Sequence, residues 1–366
     1  MSVRWRNKPG KTRWKTIIGG VLMVLVPPVF TGCIPSSSHA EELPYHHVKG
    51  GFRNPPGSPE YAGSWKDTVS GYTDRIGEGI TGYAPTLSPE YRLTPADVRK
   101  GLVRIKGKDA LTWLGHATFL INLGGKTILT DPFLTEYATG VPPFGPRRAT
   151  PPALNIGELP QIDILVVSHN HYDHLDAETI EALAGKDNIH VIVPLGMGAF
   201  FSARGYSLIT ELDWYDDMQV QGVSVKAVPA IHGSGRGFFD RNEKLWASYV
   251  FSSGTKRVYF SSDTAYGPVY PEIGRKIGPV DYALVPIGVY EPRKRMKSRH
   301  VNPAEALRIG LDLHAKTIIA THWGTIRLSD EPFEEPPLRF RQAADENGYT
   351  EKTAWVLKIG ESRLLN

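Results

Sequence analysis

The chain has 366 residues, 41% hydrophobic and 22% charged, ordinary values for a globular protein with a core large enough for one large domain or two small ones. Its 29 prolines and 37 glycines favour turns and loops and argue against long helical bundles. The net charge of +4 misleads, because residues 1–32 hold six basic side chains and no acidic one; removing those six from the 42 leaves 36 basic against 38 acidic, which offers no basis for nucleic-acid binding.

Those first residues have the layout of a secretory signal. Basic residues precede a short apolar run over 17–26, which is too short and too broken by proline for a membrane span. Phe30-Thr31-Gly32-Cys33 resembles a bacterial lipobox, which would make Cys33 a lipidated N-terminus and the protein a membrane-anchored lipoprotein. Ser38-His39-Ala40 offers an alternative cleavage site, giving a secreted or periplasmic protein. An uncleaved leader acting as an anchor is a third path, and on all three the body lies outside the cytoplasm. Cys33 is the single cysteine, so neither an internal disulfide nor a cysteine-based metal site is available.

Residues 1–40 therefore read as leader and linker. Residues 41–109, rich in Pro, Gly and aromatics and weak in periodicity, read as an irregular arm packed on the main domain. Residues 110–366 read as that domain. It opens with short β-type runs at 110–114, 118–123 and 126–130, the last two joined by Gly124-Gly125. Asp131 ends the third run, where it suits either a turn or a partner for a metal-binding histidine.

An apolar run over 162–167 reads as a buried strand. His169-Asn170-His171-Tyr172-Asp173-His174-Leu175-Asp176 follows it directly. Three imidazoles and a carboxylate thus leave one strand end together, a donor set suited to zinc and its neighbours. The H-x-H-x-D-H spacing can serve two ions at once. A water bound to such cations is acidic enough to yield a nucleophile at neutral pH.

Helix is predicted at 177–183, strand at 190–193 and helix at 198–204. Further strands are predicted at 223–230, 247–251, 257–261 and 282–286. Asn302-Pro303-Ala304-Glu305 is a helix start running to about 313, with an Asn cap, Pro in the first turn and Glu three residues after the cap. A strand at 317–320 and a helix at 338–347 close the chain. Three more candidate ligands follow strands: His232, Asp263 and His322. Strands with interspersed helices imply a layered α/β/β/α sandwich.

The octet resembles the signature of metallo-β-lactamase-fold hydrolases, and the order of His cluster, His, Asp, His matches a dinuclear site of that fold. Longer segments narrow the likeness: Trp113-Leu114-Gly115-His116-Ala117-Thr118, Thr130-Asp131-Pro132, Glu211-Leu212-Asp213-Trp214, Pro286-Ile287-Gly288-Val289-Tyr290-Glu291-Pro292-Arg293, His300-Val301-Asn302-Pro303 and His322-Trp323-Gly324-Thr325. Together they resemble the N-acylphosphatidylethanolamine-hydrolysing phospholipase D family over about residues 111–366. The resemblance implies a four-layer αββα fold and two zinc ions. His169, His171 and His232 would hold one ion; Asp173, His174 and His322 would hold the other; Asp263 would bridge them. It assigns Asp173 the orientation of the attacking water and places Tyr172 and His300 on the phospholipid headgroup. It also implies a membrane surface as partner and allows a homodimer. Gly233-Ser234-Gly235 after His232 and Ala265 after Asp263 depart from the family pattern beside the cleft.

Two other readings share these residues: a same-fold metal hydrolase of a soluble ester, lactone or cyclic phosphodiester, and a surface lipoprotein that binds without turnover. The phospholipase D chemistry based on a nucleophilic histidine does not fit. Its H-x-K occurs as His47-Val48-Lys49 and as His314-Ala315-Lys316, with Asn54 and Thr321 where Asp is required. The basic stretch Arg293-Lys294-Arg295-Met296-Lys297-Ser298-Arg299 reads as a solvated face, and its place just before His300 raises the alternative of docking to anionic lipid.

Overall fold

The structure, a computed structural model, describes residues 43–237 and 239–366. The leader and Cys33 lie outside the described residues. Among those described, no helix is long and apolar enough to cross a membrane.

Pro44 to Asn366 form one compact unit. It begins with a small hairpin, β1 (His47–Val48) and β2 (Gly51–Phe52), and then two helices, α1 (Trp65–Thr81) and α2 (Pro95–Ile105). The expectation of an irregular arm is thereby corrected. Ser64 caps α1 in a reciprocal box with Asp67, and Gly82 ends it in the left-handed conformation at φ 70°. Thr94 caps α2, with Pro95 in its first turn. The apolar pattern of α1 is hard to read because Val69, Ile76 and Ile80 face outward and three glycines, Gly71, Gly77 and Gly79, interrupt the helix.

The remaining elements build two sheets. β3 (Ala110–Gly115), β4 (Thr118–Leu123), β5 (Lys126–Thr130), β6 (Ile164–Val166), β7 (His190–Pro194) and β8 (Leu208–Leu212) belong to the first, with α3 (Ala177–Ala182) and α4 (Gly198–Ser202) between them in sequence. The second holds β9 (Asp217–Val220), β10 (Val223–Val228), β11 (Ser248–Ser253), β12 (Lys256–Phe260), β13 (Tyr282–Pro286), β14 (Thr317–Thr321) and β15 (Ala354–Trp355). Its crossovers are α5 (Val269–Ile277), the short α6 (Arg293–Met296), α7 (Pro303–Asp312) and α8 (Glu335–Glu346). The last strand, β16 (Ser362–Leu364), returns to the first sheet beside β3.

Alternation along the strands makes the layers. Leu111, Trp113, Phe119, Ile121, Ile128, Ile164, Val166 and Ile192 enter the core shared with the second sheet. Their neighbours Leu114, Leu120, Leu129, Leu165, Val191 and Val193 face the other way, against Ile180 of α3 and Phe201 of α4. A sheet covered on both faces must be apolar on both, and each such side chain contributes roughly 1.5–3 kcal/mol on leaving water. On the far side α5, α7 and α8 supply Tyr270, Leu307 and Phe340 to the same core. The result is the four-layer αββα sandwich expected from the sequence.

The direction of the strands positions the site. β5, β6, β7 and β8 run parallel in the first sheet, as do β12, β13, β14 and β15 in the second. Their carboxyl ends therefore open onto one edge of the sandwich. β8, β9, α5, β15 and β16 were not anticipated, and the helix expected from 338 starts three residues earlier because Pro336 and Pro337 occupy its first turn.

Candidate metal centre

Each expected side chain leaves a strand end at that edge. β6 delivers His169, and the turn after it is held by the amides of His174 and Leu175 donating to the His171 carbonyl. This turn brings His171, Asp173 and His174 back over the strand. Asp176 faces away from the cluster and accepts from the amides of Leu134 and Thr135. His232, Asp263 and His322 follow β10, β12 and β14.

All seven converge. His169 Nε2 lies 2.8 Å from His171 Nδ1, which is 3.2 Å from His232 Nε2. His174 Nε2 lies 3.2 Å from His322 Nε2 and 3.3 Å from Asp173 Oδ2. Asp263 stands between the two groups: Oδ1 is 2.9 Å from His322 Nε2, and Oδ2 is 3.3 Å from His174 Nε2 and 3.6 Å from His232 Nε2. His169, His171 and His232 thus make one ligand group, and Asp173, His174 and His322, joined by His116, make a second.

The donor set fits cations. His174 Nδ1 is 2.8 Å from Asp131 Oδ2, a carboxylate that only accepts, so Nδ1 carries the proton and Nε2 directs a lone pair inward. His232 Nδ1 donates in the same way to the Arg299 carbonyl, 3.0 Å away. Asp263 Oδ1 and His322 Nδ1 are buried without a hydrogen-bond partner. Burial works against charge on His174, yet Asp263, Asp173 and the bond to Asp131 lift its pKa well above the usual range. His322, equally buried, is pushed up to about 9, chiefly by Asp263. Burial alone would also raise Asp173 and Asp263, but the facing histidines hold both well below the carboxylate range. A buried site with this much negative charge demands positive charge from somewhere. Divalent cations would meet that demand and leave the histidine ligands neutral and the carboxylates ionised.

The two residues expected on the headgroup are also at the edge. His300 is buried, with Nδ1 3.8 Å from Asp263 Oδ2 and no hydrogen-bond partner. Tyr172 is half-buried; its hydroxyl donates to the Arg236 carbonyl, and the Arg236 guanidinium lies 3.9 Å above its ring.

Several participants escaped the sequence reading. His116, in the β3–β4 turn, sets Nε2 2.9 Å from Asp173 Oδ2. Burial, then repulsion from His322, drives its pKa down to about 3, so it is a neutral donor that orients the carboxylate. Ser168 and Ser262 both place their hydroxyl oxygens 2.6 Å from Asp131 Oδ2. Asn54, in the segment read as an irregular arm, exchanges two hydrogen bonds with the backbone of His232, at 2.8 and 2.9 Å. The strand exits share a backbone feature that no local sequence pattern announces. His116, Asp131, Ser262 and His322 all adopt positive φ (54°, 33°, 52° and 60°), strain that non-glycine residues accept where neighbours over-determine the backbone. Gly288 has a related role, since a Cβ there would collide with the His322 carbonyl.

Most of the basic stretch serves the fold. Arg293 pairs with Glu305 and donates to the His300 carbonyl. Arg295 donates to the Asp67 carbonyl of α1, and the Arg299 carbonyl holds His232. Only Lys294 and Lys297 of the stretch are exposed.

Residues 126–323 match the family model described as a Beta-lactamase superfamily domain. An uncharacterised protein of Mycobacterium tuberculosis is 41% identical over 241 residues, 64% of this chain and 64% of its own length. This chain therefore spans somewhat less than two thirds of that relative. An N-acyl-phosphatidylethanolamine-hydrolyzing phospholipase D of Caenorhabditis elegans is 36% identical over 263 residues, 68% of this chain and 74% of its own. The solved structure of a possible metal-dependent hydrolase from Veillonella parvula shares the fold with a TM-score of 0.56, at 16% identity, over 70% of this chain and all of that one.

Proposed function

The chain belongs to the β-lactamase superfamily of metal-dependent hydrolases, and on that premise we propose that it is a dinuclear zinc phosphodiesterase of phospholipase D type. Its substrates would be N-acylphosphatidylethanolamine-like lipids, cleaved to phosphatidic acid and an N-acylethanolamine. The observation that carries the reading is the meeting of all seven imidazole and carboxylate ligands at one edge, in a chain so similar to the nematode phospholipase.

Bound in the two ligand groups, divalent cations supply an acidified water and positive charge against the phosphoryl oxygens. The chain's own residues do the rest. Asp173 retains 12% of its side-chain surface, more than the 3% of Asp263, and so is the carboxylate that meets the cleft. His116 donates to its Oδ2 and fixes the face it presents to the attacking water. The new P–O bond forms in line with the ethanolamine oxygen, whose bond to phosphorus breaks, and the water's proton ends on that alcohol. His300 and Tyr172 flank the cleft and contact the headgroup; Arg236 keeps the Tyr172 ring in place. Lys294 and Lys297 meet the anionic membrane surface, where each basic side chain is worth about 1 kcal/mol.

The test is hydrolysis of N-acylphosphatidylethanolamine vesicles by wild type and Asp173→Asn, with metal content measured on both. Chelator-sensitive release of N-acylethanolamine by wild type, lost by at least about 100-fold in the variant, is expected. Release that survives chelation and the substitution refutes the reading, and turnover confined to soluble esters or lactones transfers the site to another substrate class.

A further inference from the structure

A second group of ligand-type side chains lies outside the edge just described. His46 and His47 precede the β1–β2 turn, and Asp213 follows β8. His46 Nε2 is 2.6 Å from Asp213 Oδ1, and His47 Nε2 is 2.6 Å from Oδ2. The three ligand atoms lie within 4.8 Å of one another. The rings are set in place: His46 is buried and stacks on Trp214 at 4.2 Å between centroids, while His47 packs edge-on against Phe52 at 5.1 Å. Asp213 is set too, because the Trp214 amide donates to its Oδ1 at 2.7 Å. Without an ion Nε2 donates to Asp213, but His46 Nδ1 is buried with no partner, so no bond at Nδ1 prevents it from taking the ring's proton when Nε2 turns its lone pair to an ion.

We propose that His46, His47 and Asp213 hold a divalent cation of the zinc type, separate from the main centre, which clamps the segment before α1 to the domain. Two imidazoles and a carboxylate are the donor set of a three-ligand zinc site. A water completes the tetrahedron from the open side, where His47 and Asp213 keep 20% and 18% of their side-chain surface. Tetrahedral zinc places its ligand atoms about 3.3 Å apart, so loading would lengthen each 2.6 Å separation between imidazole and carboxylate by less than about 1 Å. The ligand nitrogens of the main centre, 2.8 Å apart at His169 and His171, ask for the same adjustment.

The clamp has a consequence for the main centre. The Arg53 amide donates to the His46 carbonyl at 3.0 Å, and the Phe52 amide to the Asn242 carbonyl at 2.8 Å. Asn54, the next residue, grips the backbone of His232. An ion on His46 and His47 therefore stiffens the short segment that positions a ligand of the hydrolytic site.

Metal analysis of the zinc-replete full chain tests this, together with amide hydrogen exchange over residues 44–54. Gln at position 47 keeps a donor toward Asp213 but is a poor metal ligand, so His47→Gln preserves a simple hydrogen-bonded staple and removes the ion. The variant is expected to lose about one metal equivalent relative to wild type. In chelator-treated wild type, adding zinc alone slows exchange over 44–54, and His47→Gln abolishes most of that response. Unchanged metal content in both His47→Gln and Asp213→Asn overturns the proposal, as does a zinc response identical in wild type and variant, which would belong to the main centre. Neither readout depends on what the main centre hydrolyses.

Discussion

Asp131 offers the sharpest test of how the main centre is built. Its carboxylate is fully buried and accepts four hydrogen bonds: the Ser168 amide on Oδ1 at 2.7 Å, and on Oδ2 the hydroxyls of Ser168 and Ser262 at 2.6 Å and His174 Nδ1 at 2.8 Å. Asp131→Asn keeps the shape and puts an NH2 group at one of those oxygens. The Ser168 amide cannot reverse its role, so the NH2 falls at Oδ2, against three donors. The serine hydroxyls can rotate away, but His174 must then carry its proton on Nε2 and lose the lone pair it directs at the cleft. Ser168 is also 2.9 Å from His169 Nδ1, so the tautomer of a second histidine loosens with it. Losing the orienting partner of a metal-binding histidine typically costs about 10–100-fold in metal affinity. The broken charge-assisted bond costs roughly 1.5–3 kcal/mol of stability in addition. Competition with a chromophoric chelator measures the first, and urea unfolding of the metal-free protein the second. Affinity within about twofold of wild type would make Asp131 an ordinary turn residue.

Two further outcomes follow from the same geometry. In the metal-free protein His116, His232 and His300 are held at about 3 and His171 at about 4, burial being the main cause in each, and His169 is likewise well below its ordinary value of 6.5. The unfolded chain takes up those protons near 6.5 and the folded chain does not, so their contribution is present above 6.5 and drains away as pH falls toward 3. His322 has the opposite sign: its contribution is complete below 6.5 and fades as pH rises through about 9. The urea midpoint of metal-free protein should therefore drop from pH 7 to pH 5, and a flat or rising midpoint would contradict the burial argument. Asn54→Ala leaves the His232 amide and carbonyl unpaired and should destabilise the protein by about 1–3 kcal/mol, with weakened metal binding. Thermal unfolding and chelator competition check both, and wild-type values would show the arm to be a bystander.

Most of the site was legible because its chemistry is written in compact form. Three histidines and an aspartate within six positions are conspicuous, and His232, Asp263 and His322 each stand directly after an apolar run. The sandwich was legible for the same reason: strands with both faces covered leave near-continuous apolar runs. What escaped was written at long range. His116 is 57 residues from Asp173 and Asn54 is 178 residues from His232, and a lone histidine or asparagine has no local pattern to betray it. The arm was read as irregular because α1 turns apolar residues outward, although Ser64 with Asp67 and Thr94 with Pro95 were capping signals in plain sight. The basic stretch reads as charge alone in the sequence, whereas most of it also serves the fold. Its arginines brace His300, α1 and His232, and only its two lysines remain for a membrane.

The centre is assembled by backbone strain as much as by side-chain chemistry. Parallel strands from two sheets bring their carboxyl ends to one edge, but a side chain continuing straight from a strand would pass over the cleft. At His116, Asp131, Ser262 and His322 the chain turns through the left-handed region, and each turn redirects a donor or its supporting hydroxyl inward. Such turns cost of order 1–3 kcal/mol apiece for non-glycine residues. They persist because the His322 amide donates to the His116 carbonyl at 3.1 Å, and Ser262 and Asp131 bond each other, so the four strained positions hold one another in two cross-braced pairs, each joining the two sheets. It follows that the backbone carrying these residues is held in place by the protein itself, and an ion asks only for small side-chain adjustments. Glycine at position 262 would relieve one turn while deleting its brace, and should loosen metal binding rather than tighten the fold.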